Sequence, residues 1–158
     1  MKREEIRNFL RLGADAVEIF FGYGEVPNFN SKMDKAFPLG WLEPLQVSTA
    51  FGTNSSTLID TWTVRLHIAK KDFMDSEPSD YEDLIDVCDH YARRLIWQYN
   101  LILGGDDSIE TDQDLKDLYR LVTMEGISRT PFIKKHSDCL TGVILEFTLV
   151  TPDKTDVC

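Results

Sequence analysis

Apolar residues recur at three- and four-residue steps in two parts of the chain and at two-residue steps in others. Between Arg3 and Phe21, Ile6, Leu10, Gly13, Val17 and Phe20 keep a helical spacing with Lys2, Arg3, Arg7 and Arg11 between them, predicting a first helix stopped by Gly22 and Gly24. Residues 25–37 have no periodicity and contain Pro27, Asn28, Asn30 and Ser31, so a long surface loop is expected. From Phe37 to Thr49 an aromatic-rich run is broken by Pro38, Gly40 and Pro44, which reads as a short edge strand with irregular flanks, and Phe51 to Ser56 reads as a turn. The clearest strand is Leu58 to Ala69: Leu58, Trp62, Val64, Leu66 and Ile68 point one way, Thr61, Thr63, Arg65 and His67 the other, and Asp60 breaks the pattern.

A long second helix follows. Ser79 and Glu82 have capping-box spacing just after Pro78, and Tyr81, Leu84, Ile85, Cys88, Tyr91, Ala92, Leu95, Ile96 and Tyr99 form its apolar stripe, ended by Gly104 and Gly105. Asp106 to Asp117 stays open, since Thr111 and Asp114 suit the start of a short helix through Leu118, while Tyr119 to Thr123 suits a strand equally well. Gly126 to Ile133 and Gly142 to Thr151 predict an antiparallel hairpin, and residues 152–158 a short polar tail. The expected fold is α+β: a mixed or antiparallel sheet of about four strands, with the long helix and the N-terminal helix on one face, in a single domain over residues 1–158.

Composition narrows the function classes. With 158 residues and 42% hydrophobic content, one core needs no metal or disulfide staple. No apolar run approaches the roughly 18 residues of a membrane span, and the opening MKREEIRNFL lacks the unbroken apolar stretch of a secretory signal, so no membrane association is expected. Three cysteines, Cys88, Cys139 and Cys158, without a C-x-x-C pair fit a reducing compartment. The net charge of −10 disfavours sequence-specific binding to polyphosphate. The acid falls in two blocks, one from Asp72 to Asp89 and one from Asp106 to Asp117.

The search for chemistry yields little. His67, His90 and His136 are isolated and read as surface histidines, and nucleophile elbows, phosphate loops and zinc spacings are lacking, so neither catalysis nor a cofactor is expected. Asp106, Ser108, Glu110, Asp112, Asp114 and Asp117 fall at calcium-loop positions, but Thr111 stands where the turn needs glycine and Asp117 where a longer glutamate is usual. Asp106, Glu110, Asp112 and Asp117 are therefore weak metal candidates. Trp41, Trp62 and Trp97, with Phe29, Phe37 and Phe51, are more aromatic surface than one core uses, which points to subunit contacts. Trp62 and Trp97 suit a purely internal role equally well.

Three stretches carry a resemblance: FPLGWLEP (Phe37 to Pro44), TWTVRLHIAKKD (Thr61 to Asp72) and DCLTGVILEFTLVTPDKTDVC (Asp138 to Cys158). Together they resemble phage tail-terminator and head-to-tail connector (neck ring) proteins, especially those of Bacteroides-infecting, crAss-like phages. The resemblance implies a virion structural protein, assembled in the host cytoplasm, whose copies close a six-fold or twelve-fold ring between portal, neck and tail-tube proteins. Genomic DNA would pass through it without specific binding. On that reading Phe29, Phe37, Trp41, Phe51 and Val157 are subunit-interface candidates, and Asp75, Glu77, Asp80, Asp106 and Asp107 are candidates to line the lumen. The rival readings are an acidic cellular adaptor for a basic protein partner and a small calcium-binding module.

Overall fold

A computed structural model describes residues 1–25, 38–53, 57–72, 75–105, 112–135 and 139–152. The elements in chain order are α1 (Arg3–Ala16), β1 (Phe20–Tyr23), β2 (Leu39–Leu42), β3 (Gln46–Phe51), β4 (Leu58–Lys71), α2 (Pro78–Leu103), α3 (Gln113–Tyr119), β5 (Thr123–Lys135) and β6 (Leu140–Pro152). The fold is mixed α+β. The sheet has six strands rather than about four, in the order β1-β2-β4-β6-β5. Among the described residues only β1 and β2 run parallel; the other pairs are antiparallel. Strand β4 is long enough to hold β2 against Leu66–Ala69 and β3 against Leu58–Thr63 on the same edge. Pro44, which has no N–H to give a ladder, lies in the break between β2 and β3.

The main core follows the alternation on the two central strands. Trp62, Val64, Leu66 and Ile68 of β4 and Val143, Leu145, Phe147 and Leu149 of β6 face α1 and α2, which contribute Ile6, Phe9, Leu10, Cys88, Leu95 and Tyr99. The two helices touch closely because Gly13 leaves room for the Tyr99 ring; a β-carbon there would stand 2.2 Å from Tyr99 Cε1. The Tyr99 hydroxyl donates to the Leu10 carbonyl at 3.1 Å. On the other face a smaller cluster of Leu39, Trp41, Ala69, Phe132, Leu140 and Ile144 is buried toward one end.

Several expectations need correction. The first helix ends at Ala16, not near Phe21, because Glu18 takes a left-handed conformation (φ 61°) and closes the helix without glycine. Ile19 N–H donates to the Ala14 carbonyl and Glu18 N–H to that of Asp15, the pair of bonds that defines a Schellman stop. Ile19 is then buried, and residues 20–23 become an unforeseen strand. Glu18→Gly removes the cost of a β-carbon in that conformation, so a gain of about 0.5–1 kcal/mol is expected. Thermal denaturation checks it: Tm should rise by a few degrees, whereas a fall would contradict the left-handed stop.

The α2 cap is also displaced. Glu77 is the N-cap and pairs with Asp80, whose Oδ2 accepts from Glu77 N–H at 3.2 Å, because Pro78 suits the first helical position. Strand β2 is not an edge, since it lies between β1 and β4, and Phe51 ends β3 rather than opening a turn. The end of the second acidic block forms α3, which contains Asp114 and Asp117, and the chain enters β5 only at Thr123. The predicted hairpin is present as β5 and β6, with register shifts between Glu125 and Ser128 and between Phe132 and Lys135.

Candidate functional site

The outer strands carry the surface that the core does not use. Every residue of β3 is exposed, as is nearly all of β5 from Thr123 to Pro131. The largest exposed apolar side chains are Phe51 (74%), Trp97 (63%), Phe20 (55%) and Tyr23 (48%). Phe20 and Tyr23 stand on β1 and Phe51 at the end of β3; Trp97 borders a groove of about 600 Å³ between α2 and β5, lined also by Arg93, Met124 and Ile127. Two of these residues, Phe20 and Tyr23, lie where the sequence pattern predicts a helix and its stop; Trp97, for which the sequence leaves interior and surface equally open, is on the surface. Helical geometry alone would have decided Trp97, because at 100° per residue it lies opposite Cys88, Ala92, Leu95 and Tyr99.

Each helix carries a row of like charges at helical spacing. Arg3, Arg7 and Arg11 follow one another along α1, and each guanidinium lies over a ring: Trp62 at 5.4 Å, Tyr23 at 4.3 Å and Phe21 at 5.5 Å. Such stacking holds a flexible side chain in place at an exposed site. None of the three makes an ion pair among the described residues. Along α2, Glu82, Asp83 and Asp86 are exposed and likewise without an ion pair among the described residues, whereas Asp89 Oδ2 pairs with Arg129 Nη1 at 2.9 Å.

A polar cluster sits on the sheet face away from the helices. Arg65 Nε lies 3.3 Å from Glu43 Oε2 and 2.9 Å from Glu146 Oε2, and His67 Nε2 lies 3.3 Å from the same Glu43 oxygen. His67 is buried, not a surface histidine, because its ring packs on Phe132 at 5.8 Å and its strand neighbours across the ladder are Trp41 and Ile144. Arg65 is nearly half exposed, so its ion pairs contribute little to stability. Nearby, Thr141 Oγ1 donates to buried Asp72 Oδ2 at 2.6 Å, tying the end of β4 to β6.

The candidate residues divide sharply. Phe51 is exposed, as the interface reading requires. Trp41 is only 2% exposed and does not present an outward anchor: Gly22 across the β1–β2 ladder leaves space for its ring, and its Nε1 donates to the Gly24 carbonyl at 3.0 Å. Phe29, Phe37 and Val157 lie outside the described residues, as does the 25–37 loop beyond Glu25. Asp75, Glu77 and Asp80 are exposed at the start of α2, while Asp106 and Asp107 lie outside the described residues.

Of the calcium candidates, Asp106 and Glu110 are also outside that range. Asp112 caps α3 by accepting from Asp114 N–H at 3.3 Å, and Asp117 accepts from Gln113 Nε2 and lies 3.6 Å from Arg120. Among the described residues no group of three or more His, Cys, Asp or Glu converges as metal ligands. Cys88 is buried on the inner face of α2, and burial pushes its thiol up to about 12, far from a reactive thiolate. No described helix is long and apolar enough to cross a membrane. No family model matches the chain, and no curated protein is significantly similar to it.

Proposed function

We propose that this chain is a structural, non-catalytic subunit that assembles with copies of itself into a ring of the phage neck or tail-terminator kind, joining portal and capsid to the tail while DNA passes through. The observation that carries the reading is where its exposed apolar side chains collect. Phe20 and Tyr23 lie on one outermost strand, Ile127 and Ile133 on the other, and Val47 and Phe51 on β3. Scattered exposed apolar residues are ordinary, but strand edges that are unpaired among the described residues and bear apolar side chains are where one chain adds to another.

The acid at the start of α2 supports the second half of the reading. Asp75, Glu77 and Asp80 are exposed carboxylates that would repel DNA phosphates and let a duplex slide. Asp106 and Asp107 belong to the same proposed lining. Partners on either side would be neighbouring neck, portal or tail-tube proteins, and the site of action the virion. Light scattering tests the assembly: a mass several times 18.1 kDa is expected. A mass of one chain at every concentration would contradict it and favour the adaptor reading, with the same acid facing a basic partner.

A further inference from the structure

We infer that neighbouring copies join head to tail through oppositely charged flanks, with the arginine row on α1 of one copy against the carboxylate row on α2 of the next. The inference rests on the self-assembly reading and deepens it by naming both halves of the contact. Strand order places β1 and β5 at opposite ends of the sheet. The arginine row belongs to the side of the sheet that carries β1 and β3: Arg7 lies over Tyr23 and Arg11 over Phe21 of β1, and Arg3 over Trp62 of β4, which pairs with β3. The acidic flank of α2 belongs to the β5 end, fixed there by the Asp89–Arg129 pair and by the groove that Arg93 and Trp97 share with Met124 and Ile127. Glu82 and Asp86 precede Asp89 by two turns and one turn and so lie on the same flank.

The two rows match in spacing as well as sign. Arg3, Arg7 and Arg11 advance four residues at a time, as do Glu82 and Asp86, so both repeat at about 6 Å along their helices. Neither flank is purely of one sign: Asp15 and Glu18 border Arg11, and Arg93 follows the α2 acids. Each flank also has an apolar neighbour, Phe20 and Tyr23 at one end, Trp97 and Ile127 at the other. Apolar anchors beside complementary charge are the ordinary make-up of a protein interface.

Charge also bears on the symmetry. A two-fold dimer that set the arginine row against itself, or Glu82 and Asp86 against themselves, would place like charges together, a costly arrangement. A contact between unlike flanks repeats from copy to copy and closes a ring when the rotation permits.

Charge reversal tests this with side chains that are exposed or half-exposed, so circular dichroism should stay at wild-type values; the triple variant, which gives up three guanidinium–ring contacts, should lose only a few degrees of Tm. In sedimentation at about 0.1 M salt, the triple variant Arg3→Glu, Arg7→Glu, Arg11→Glu should self-associate on the order of 100-fold more weakly than wild type. The double variant Glu82→Lys, Asp86→Lys should do the same. Mixing the two variants should restore assembly, because each then offers the flank the other lacks. Wild-type assemblies should loosen as salt is raised toward 1 M, where screening reaches within about 3 Å. Assembly that persists in both variants, or fails to return on mixing, overturns the inference and leaves the ring reading intact. A wild-type chain that is monomeric at all concentrations overturns both.

Discussion

Gly142→Ala is expected to cost about 3–5 kcal/mol and to loosen the centre of the sheet. Gly142 lies on β6 between Ala69 of β4 and Phe132 of β5, and a β-carbon there would stand 1.9 Å from the Ile68 carbonyl oxygen and 2.9 Å from Ala69 Cα. Those are backbone atoms of the neighbouring strand, so no side-chain rotation relieves the clash. Strands β4 and β6 must separate locally, next to the Asp72–Thr141 hydrogen bond that secures the end of β4. Urea denaturation gives the free energy, and a Tm lower by roughly 10 °C should accompany it. Amide exchange would also quicken first around Ile68 and Ala69. A loss under about 1 kcal/mol would contradict the β4–β6 register.

Tyr99→Ala should be as damaging, at about 4 kcal/mol, through a different mechanism. Tyr99 is fully buried, its ring centroid 5.0 Å from that of Phe9 and 5.8 Å from that of Phe147, so it joins α1, α2 and the sheet at one point. Burial pushes its hydroxyl far above the usual phenol range, so it stays a neutral donor to the Leu10 carbonyl at any ordinary pH. Tyr99→Phe keeps the ring and loses only that bond, for about 1 kcal/mol. The close approach of Gly13 adds a sign test. Gly13→Ala should destabilise the wild type, where Tyr99 fills the space, yet be neutral or stabilising beside Tyr99→Ala, where a cavity awaits it. Denaturation of the four chains measures this coupling; additive effects would mean that the helices do not meet there.

Sequence pattern revealed the long elements and misread the short ones, for physical reasons. Strands β4 and β6 each run 13 or 14 residues, and their alternation is dictated by a core on one side and mostly polar surface on the other. Helix α2 has 26 residues and a stripe that only a helix explains. Strands β1 and β2 have four residues each, too few for a period to declare itself, and Phe20 fell by coincidence on the helical spacing of α1. The stop at Glu18 has no signal in the sequence, because the left-handed position that ends the helix is filled by a glutamate and not by a glycine. Trp41 was misjudged because a tryptophan among prolines reads as surface until its ladder neighbour Gly22 is known.

The candidate surface divides in the same way. The acid of α2 and the arginines of α1 stood in the sequence as charges between apolar positions. That they belong to opposite ends of one sheet depends on strand order, which no local pattern contains. Phe51 is legible in the sequence as a contact candidate and the helical period places Trp97 on the outer side of α2, whereas Phe20 and Tyr23 become visible only with β1 in place.

Closed assembly from copies of this chain is the central claim, and negative-stain electron microscopy of the concentrated chain at low salt tests it most directly. The account predicts closed rings of uniform subunit number, six or twelve, that disperse when the arginine row is reversed. Fields of single 18.1 kDa particles, or two-fold dimers alone, would contradict it.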